Sequence, residues 1–291
     1  MVGKTIPKGR RGRLLASRAA LGGVLTILIG FVMKLWVFES ASIIIYLGLL
    51  FMAASLWSAA ALAFALIEEL PGATEGGRNA VEEARAGAKF LFKEKWFSRF
   101  LLARATLLSI EIGTPFYVLY VRKVVSDGVA ALGIFVVAKG LAQALSSPFW
   151  GRFADTSSRK VMLISGVIGA ATALLALSFG FLPNSFQSPY LYGGLFILFG
   201  ISESGVALGR KTYLIDRVDP KERPTFVAFG NSVIGLITLG AGFLGLIAQY
   251  RGIEILIAVL AFLSALGAAA SCFLPEALED VEETEPRLEA A

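Results

Sequence analysis

Eight blocks of apolar residues follow one another along the chain, separated by segments that carry most of its charged residues. Each block approaches or exceeds the ~20 residues that a helix needs to cross a bilayer. Apolar and polar residues do not alternate within the blocks, which argues against membrane-spanning β-strands. The pattern therefore predicts an all-α membrane protein with eight transmembrane helices. We place these spans at about Leu14–Val37, Ala41–Ile67, Arg99–Tyr120, Gly128–Pro148, Val161–Leu182, Leu191–Leu208, Thr225–Gln249 and Gly252–Leu274.

The composition agrees with a chain that faces lipid, since 56% of its 291 residues are hydrophobic and only 17% are charged. Soluble domains average about 25% charged residues. The chain has no histidine and a single cysteine, Cys272, so it lacks the commonest catalytic base, an intrachain disulfide and any cysteine-based metal site. It also contains no glycine-rich phosphate loop of the kind that binds ATP. We therefore expect no enzyme activity, no catalytic residue, no metal and no cofactor.

Lysine and arginine residues are concentrated before the first span and after the second, fourth and sixth spans. With eight spans, these four segments lie on the same side of the membrane, which should be the cytoplasm because basic loops stay inside. Both termini are then cytoplasmic, in a multi-pass protein of the inner cell membrane. Arg122 and Lys123 lie on the opposite side, where we expect them to anchor lipid headgroups. The formal net charge of +5 follows from the inside loops and requires no nucleic-acid partner.

One long polar connection divides the chain into regions. Residues 1–67 hold two spans, and residues 68–98 form a charged cytoplasmic linker. The linker is long enough for an amphipathic helix on the membrane surface, with Phe90, Leu91 and Phe92 as its apolar contacts. Residues 99–274 hold the other six spans. Residues 275–291 form an acidic cytoplasmic tail without large apolar clusters, which predicts disorder.

Polar and charged residues lie inside four of the spans, although a charge at that depth costs about 2.5–3.5 kcal/mol on insertion scales. One interpretation is a glutamate–lysine pair that only fixes the register of two helices. The other is an aqueous cavity lined by the third, fourth, sixth and seventh spans. The cavity is favoured because the charges are spread over several spans, while the fifth and eighth carry none in their interiors. The candidate cavity residues are Arg104, Glu111, Lys139, Gln143, Glu203 and Asn231.

The stretch GRFADTSSRK, Gly151 to Lys160, forms a compact charged turn between the fourth and fifth spans. Read alone, it is a basic cytoplasmic loop in which Asp155 caps the next helix or pairs with Arg159. It resembles the signature loop of the major facilitator superfamily, roughly G-x-x-a-D-x-x-G-R-[RK], with Ser158 where a glycine is usual. The stretch GRKTYLIDRVDPKERPTF is similar to that family's link between helices ten and eleven.

The resemblance sets the last six spans as family helices seven to twelve and the first two as helices five and six. It implies a secondary active transporter of a small solute that works by alternating access, with protons as a further partner that carboxylates would carry. In this family, helices seven, eight, ten and eleven contribute to the cavity, in agreement with the distribution of charges. Charges of both signs fit sugars, amino acids, metabolites and drugs, and leave direction, coupling ion and oligomeric state open. A non-transporting membrane scaffold on the same fold is the alternative function.

The resemblance also implies a gate formed by Gly151, Asp155, Arg159 and Lys160. In the family, the signature aspartate docks on the start of a helix in the other half of the protein and latches the outward-facing state. By the internal symmetry of the fold, Asp155 should lie within a few Å of the first turn of the first span, held in place by Arg159. Counterparts of the first four family helices are missing, so we expect a truncated form. The alternative is an eight-span protein that pairs with another chain.

Overall fold

The computed structural model describes residues 10–36, 43–66, 87–91, 93–124, 129–183, 187–219 and 222–277. Within these ranges the chain is mostly helical and contains no strand, which confirms the prediction of an all-α protein. The principal helices are α1 (Arg11–Trp36), α2 (Ile43–Ala65), α3 (Lys95–Glu111), α4 (Thr114–Val124), α5 (Val129–Phe179), α6 (Pro189–Arg217), α7 (Arg223–Gly240), α8 (Leu244–Arg251) and α9 (Ile253–Cys272), with a 3₁₀ turn (Ala241–Phe243) between α7 and α8.

Each predicted span has a helical counterpart in the described chain. Residues 133–179, α6, residues 223–251 and α9 each have the length and apolarity of helices that cross a membrane. The third span is broken, because α3 stops at Glu111 and α4 begins at Thr114, directly before Pro115. Proline lacks a backbone N–H and is best accommodated in the first turn of a helix, which is the position of Pro115 in α4.

The sixth span is longer than the sequence predicts. We expect a loop after Leu208, but α6 continues to Arg217, and the prediction is wrong. The extension stays helical because Thr212, Tyr213 and Asp216 are buried on its inner face. Charged residues that the sequence assigns to a cytoplasmic loop are therefore held on a packed helix.

α5 consists of two arms joined by a sharp bend at Ser157, whose backbone is extended (φ −155°, ψ 94°). Ser147 on the first arm hydrogen bonds with Ser204 of α6 over 3.0 Å. Ser202 of α6 donates to the Ser165 carbonyl of the second arm over 2.7 Å. Residues 147 and 165 would be about 27 Å apart in a straight helix. The chain therefore doubles back at Ser157, and α6 lies against both arms, which we call α5N (residues 129–156) and α5C (residues 158–179).

α1 packs directly on α5N through two glycines. A Cβ atom on Gly23 would lie 2.7 Å from the Gly140 carbonyl oxygen, and one on Gly140 would lie 2.9 Å from the Gly23 carbonyl oxygen. Small residues at a helix interface allow two backbones to approach this closely. The first span is thereby joined by backbone contact to the six-span region.

The N-terminal ends of α3 and α7 meet in an aromatic cluster. The ring of Phe226 stacks on Phe90 and Trp96, with 4.3 and 5.5 Å between ring centroids, and meets Phe97 edge-on at 4.7 Å. Leu91 also packs against the core. Phe90 and Leu91 thus contact the bundle, where the sequence predicts contacts with the membrane surface. Phe92 and most of the linker lie outside the described residues.

Candidate functional site

Lys139 and Glu203 form an ion pair between α5N and α6, with 2.7 Å between Lys139 Nζ and Glu203 Oε2. The same ammonium group donates to Thr114 Oγ1 on α4 over 2.9 Å and lies 5.7 Å from the centre of the Phe199 ring. An ammonium group has three donors and is attracted to the face of an aromatic ring. Lys139 therefore connects three helices while remaining partly exposed.

Glu111 at the end of α3 binds Arg210 of α6 through two contacts. Arg210 Nε lies 2.8 Å from Glu111 Oε1, and Arg210 Nη2 donates to Glu111 Oε2 over 3.1 Å. The guanidinium thus contacts both carboxylate oxygens, and one of the two contacts, from Nη2, is a charge-assisted hydrogen bond. The sequence prediction misses Arg210 because it assigns that residue to a loop. The available signal is spacing, since Arg210 follows Glu203 by seven residues and falls on nearly the same helix face.

Arg104 is a residue of α3, faces α7 and is only 8% exposed. Its Nη2 donates to Asn231 Oδ1 over 2.8 Å. Its Nε atom has no hydrogen-bond partner among the described residues. Arg104 also interacts electrostatically with Arg210 and Glu111, so these residues belong to one charged region.

The two ion pairs and Arg104 form a single group. Glu203 interacts electrostatically with Glu111, which connects the pairs. Gln143 faces α1 instead, where a Cβ atom on Gly22 would lie 4.0 Å from its Nε2. We call the group without Gln143 the central cluster. Its members are Arg104, Glu111, Lys139, Glu203, Arg210 and Asn231.

The signature-like turn, Gly151–Lys160, comprises the end of α5N, the bend at Ser157 and the start of α5C, and it contacts the start of α1. Arg13 Nε lies 3.5 Å from Asp155 Oδ2, with Asp155 buried and Arg13 largely exposed. Because Arg13 is in the first turn of α1, the expected position of Asp155 is confirmed. Gly151 is buried in the turn, and Lys160 is exposed.

Two details of the turn differ from the prediction. The residue that caps α5C is Ser157, whose Oγ accepts a hydrogen bond from the Lys160 backbone N–H over 3.3 Å, so capping by Asp155 is wrong. The bend at Ser157 places this hydroxyl in the capping position. Arg159 forms an ion pair with Glu276, with 2.8 Å between Nη2 and Oε1, whereas the sequence predicts that it holds Asp155. The sequence offers no such partner, because it treats the tail that contains Glu276 as disordered.

Residues 273–277, after α9, lie across this end of the bundle, and we call them the strap. Leu274 and Ala277 are buried. Disorder is therefore a wrong prediction for residues 275–277, while residues 278–291 lie outside the described chain. The Glu276 carboxylate also accepts hydrogen bonds from Ser157 Oγ at 3.0 and 2.8 Å. Four consecutive strap carbonyls accept hydrogen bonds from side chains: Phe273 from Arg99, Leu274 from Arg159, Pro275 from Tyr213 and Glu276 from Arg217.

The family of the chain follows from its sequence match. A family model described as Major Facilitator Superfamily matches residues 114–290, which is more than half of the chain. The chain belongs to the major facilitator superfamily. Its apolar helices and this family place it among the multi-pass membrane proteins. The matched region runs from α4 through the strap and contains most of the central cluster.

Curated relatives of this facilitator include the Multidrug resistance protein MdtG of Dickeya zeae, which is 35% identical over 98 residues, or 32% of this chain and 24% of the relative. The Multidrug resistance protein MdtG of Salmonella arizonae is 33% identical over 117 residues, or 39% of this chain and 28% of the relative. The matched part of the facilitator thus spans about a quarter of the length of these relatives. No solved structure matches the chain at a significant level.

Proposed function

We propose that this facilitator moves a small organic solute by alternating access, with the central cluster as its solute and proton site. The observation that carries the proposal is the pair of ion pairs made by α6, Glu203 with Lys139 and Arg210 with Glu111. Charges inside a bilayer are costly unless they are paired, and both pairs are partly exposed. A proton or a charged solute can therefore reach and open them without dismantling the fold. The relatives' name, multidrug resistance protein, supports an organic solute.

Protonation of Glu111 or Glu203 would remove the negative half of its ion pair. The base that is left, Arg210 or Lys139, would then carry an unpaired charge that is only partly exposed to water, which destabilises the closed arrangement of the pair. In this proposal, proton binding at either glutamate favours a second position of α6, in which the free base contacts water or a solute.

The contact between α1 and the signature-like turn is the proposed cytoplasmic gate. Arg13 and Asp155 lie beside a small apolar cluster that contains Ala16, Trp150 and Ala154. The basic residues around this contact support a cytoplasmic position for this end of the bundle. Closure of the cytoplasmic end corresponds to an outward-facing state. Both termini are cytoplasmic in this proposal.

The test is accumulation of labelled solutes by vesicles that contain the purified full chain, under an imposed pH gradient. We expect the chain to accumulate at least one solute of a mixed panel. Glu111→Gln and Glu203→Gln should each reduce the rate of accumulation about tenfold or more. The matched control is Glu254→Gln, which removes a carboxylate from the exposed pair with Lys123 and should leave accumulation unchanged.

Two results would contradict the proposal in different ways. Normal accumulation by both Glu111→Gln and Glu203→Gln under the pH gradient excludes a proton role for these carboxylates. No accumulation of any solute by the unmodified chain excludes transport and favours the scaffold alternative.

A further inference from the structure

We propose that the acidic end of the chain, residues 278–291, binds the basic outer surface of the signature-like turn and helps to keep the cytoplasmic gate closed. We call this segment, which lies outside the described residues, the distal tail. The surface is formed by Arg152 and Lys160, and we call it the basic patch. The docking does not depend on the transported solute, whereas its effect rests on the gate proposed above.

The basic patch carries charge that the described chain does not neutralise. Arg152 lies near the end of α5N and Lys160 near the start of α5C, and both residues are exposed. Within the described residues neither side chain forms an ion pair, whereas Arg159 of the same turn is paired with Glu276. The patch can therefore form charge-assisted hydrogen bonds with carboxylates from another segment.

The strap leads the chain directly to the basic patch. Its residue Glu276 is bound to the turn by an ion pair of 2.8 Å, and the next residue, Ala277, is buried. Ala277 and Lys160 line the same cavity, which has a volume of about 230 Å³. Thr156 lines this cavity as well and lies about one helical turn after Arg152. The distal tail therefore begins beside the patch.

The first carboxylates of the distal tail are within reach of the patch. Glu279 and Asp280 follow Ala277 by two and three residues. An extended chain spans at most about 3.6 Å per residue, so their Cα atoms lie no more than about 7 and 11 Å from that of Ala277. Since Ala277 shares a cavity with Lys160, these carboxylates can bind Lys160 while the strap keeps its position.

The charge of the distal tail complements that of the patch. Its sequence, LEDVEETEPRLEAA, contains six acidic residues and one base. Charges on a protein surface interact over about 10 Å at 0.1 M salt. A binding segment on a short flexible tether has an effective concentration in the millimolar range. The distal tail is therefore a stronger candidate for the patch than a free anion or a second chain at micromolar concentration.

A distal tail on the patch would also strengthen the contact between the turn and α1. Arg13 of α1 approaches Asp155 through Nε, with 3.5 Å between Nε and Oδ2, and its side chain is 65% exposed. A guanidinium has five N–H donors, so the Nη groups of Arg13 can bind a further carboxylate. A tail that binds Arg13 and Lys160 at once would bridge α1 and α5C, which favours the closed gate.

Carbodiimide coupling of the purified full chain tests the docking. This reagent joins a lysine amine to a carboxylate in contact with it as an amide, with loss of water, and tandem mass spectrometry identifies the linked residues. We expect Lys160 to couple to the distal tail, with a yield that falls about threefold or more at 1 M salt, where the screening length is about 3 Å. Lys123 and Glu254, whose charged atoms lie 2.6 Å apart, provide the internal positive control.

Other lysines test the specificity of the coupling. Lys95 of α3 and Lys211 of α6 are also exposed. We expect the distal tail to couple to Lys160 in higher yield than to either of them. Lys160→Arg keeps the positive charge but has no amine to couple, so the link at position 160 should disappear while the gate is unaffected.

The effect on the gate is measured in a variant that neutralises four carboxylates of the distal tail without shortening it: Glu279→Gln, Asp280→Asn, Glu282→Gln and Glu283→Gln. The readout is the rate at which a cysteine at the buried position 16, in a chain without Cys272, reacts with a water-soluble thiol reagent. We expect this rate to rise about twofold to fivefold, the range typical of exposed ion pairs. Glu254→Gln removes an exposed carboxylate outside the tail and should leave the rate unchanged.

Each outcome supports or overturns a defined part of the proposal. Absence of the link between Lys160 and the distal tail, when Lys123 and Glu254 are linked, overturns the docking. Equal coupling to Lys95, Lys160 and Lys211 overturns the basic patch as the docking surface. A covalent dimer on a denaturing gel identifies a second copy of the chain as the partner and overturns docking within one chain. A link at Lys160 with an unchanged rate at position 16 overturns the role in the gate. Solute accumulation tests the proposed function separately, so its failure is distinguishable from each of these results.

Discussion

Arg13→Gln and Asp155→Asn, made singly and together, should open the cytoplasmic gate to a similar, limited extent. The charged groups lie 3.5 Å apart, with the Arg13 side chain 65% exposed and the Asp155 side chain 7% exposed. Each substitution roughly preserves side-chain size and removes one charge, so each deletes the attraction. Asp155 has further interactions. Only comparison with the double variant therefore isolates the interaction energy between Arg13 and Asp155.

The magnitude follows from the distance and the exposure. Coulomb's law gives about 1 kcal/mol for two unit charges at this separation in water and about 5 kcal/mol at an effective dielectric constant of 20. The exposure of Arg13 favours the lower value, because exposed ion pairs contribute about 0.2–1 kcal/mol. A contribution of about 1 kcal/mol shifts the equilibrium between closed and open gate about fivefold. The apolar contacts of Ala16, Trp150 and Ala154 persist, so the gate should not open fully.

The assay is the rate at which a cysteine at position 16 reacts with a water-soluble thiol reagent, in a chain whose Cys272 is replaced by serine. Ala16 is 2% exposed beside the closed gate, so the rate reports the fraction of molecules in which the gate is open. We expect each single variant to react about fivefold faster than its parent. The double variant should react about as fast as the single variants, because the interaction can be lost only once.

Rates that stay within a factor of about two in both single variants would show that the pair is not part of the gate. Effects that multiply in the double variant would show that Arg13 and Asp155 act independently of each other. Arg122→Gln, which removes an exposed base from α4, serves as the charge-matched control and should not alter the rate.

Three further predictions concern packing, the strap and the topology. Gly23→Ala forces overlap with α5N and should lower the thermal unfolding midpoint, whereas Gly48→Ala, with no atom within 4 Å of its new Cβ, should leave it unchanged. Glu276→Gln weakens the strap and should lower the same midpoint by about 2–4 °C; an unchanged midpoint would show that the carboxylate contributes nothing to stability. Without Cys272, a cysteine at Ser126 should react with an impermeant reagent from outside and one at the exposed Thr156 should not; the reverse pattern would invert the topology.

The grouping of the charged residues within the spans could be predicted from the sequence, but their partners could not. A charge in a bilayer is costly unless it is paired or hydrated, so charges on several spans should face one interior region. Lys139 and Glu203 are in contact, as the glutamate–lysine interpretation requires. Which glutamate binds which base depends on how each helix is rotated about its axis. A single sequence does not contain that rotation, and Arg210 as the partner of Glu111 is therefore missed.

The sequence predicts where the signature-like turn makes its contact, but it does not predict the strap. The position of Asp155 beside the first turn of α1 follows from the pseudo-symmetry of the fold, which the sequence reveals through a short motif. The strap does not follow, because it includes the start of the tail, residues 275–291, whose acidic composition predicts disorder. Most of its hydrogen bonds to the bundle are accepted by backbone carbonyls. Every residue has a backbone carbonyl, whatever its side chain. Composition is therefore insensitive to this kind of docking.

α6 provides a physical connection between the central cluster and the gate. Glu203, Arg210 and Arg217 are spaced by seven residues, so they lie on nearly the same helix face at intervals of about 10.5 Å. Glu203 and Arg210 bind Lys139 and Glu111, whereas Arg217 donates to the Glu276 carbonyl of the strap over 3.0 Å.

A turn of α6 as a rigid body that breaks its pair with Lys139 also shifts Arg217 against the strap. The strap in turn holds Arg159 of the signature-like turn through Glu276. Proton or solute binding in the central cluster would thus reach the gate through α6, which contacts the cluster and the strap, and then through the strap, which contacts the signature-like turn. On this account, Glu203→Gln and Arg217→Gln should change the reactivity of a cysteine at position 16 in the same direction. Opposite effects, or an effect of only one substitution, would show that α6 does not couple the two regions.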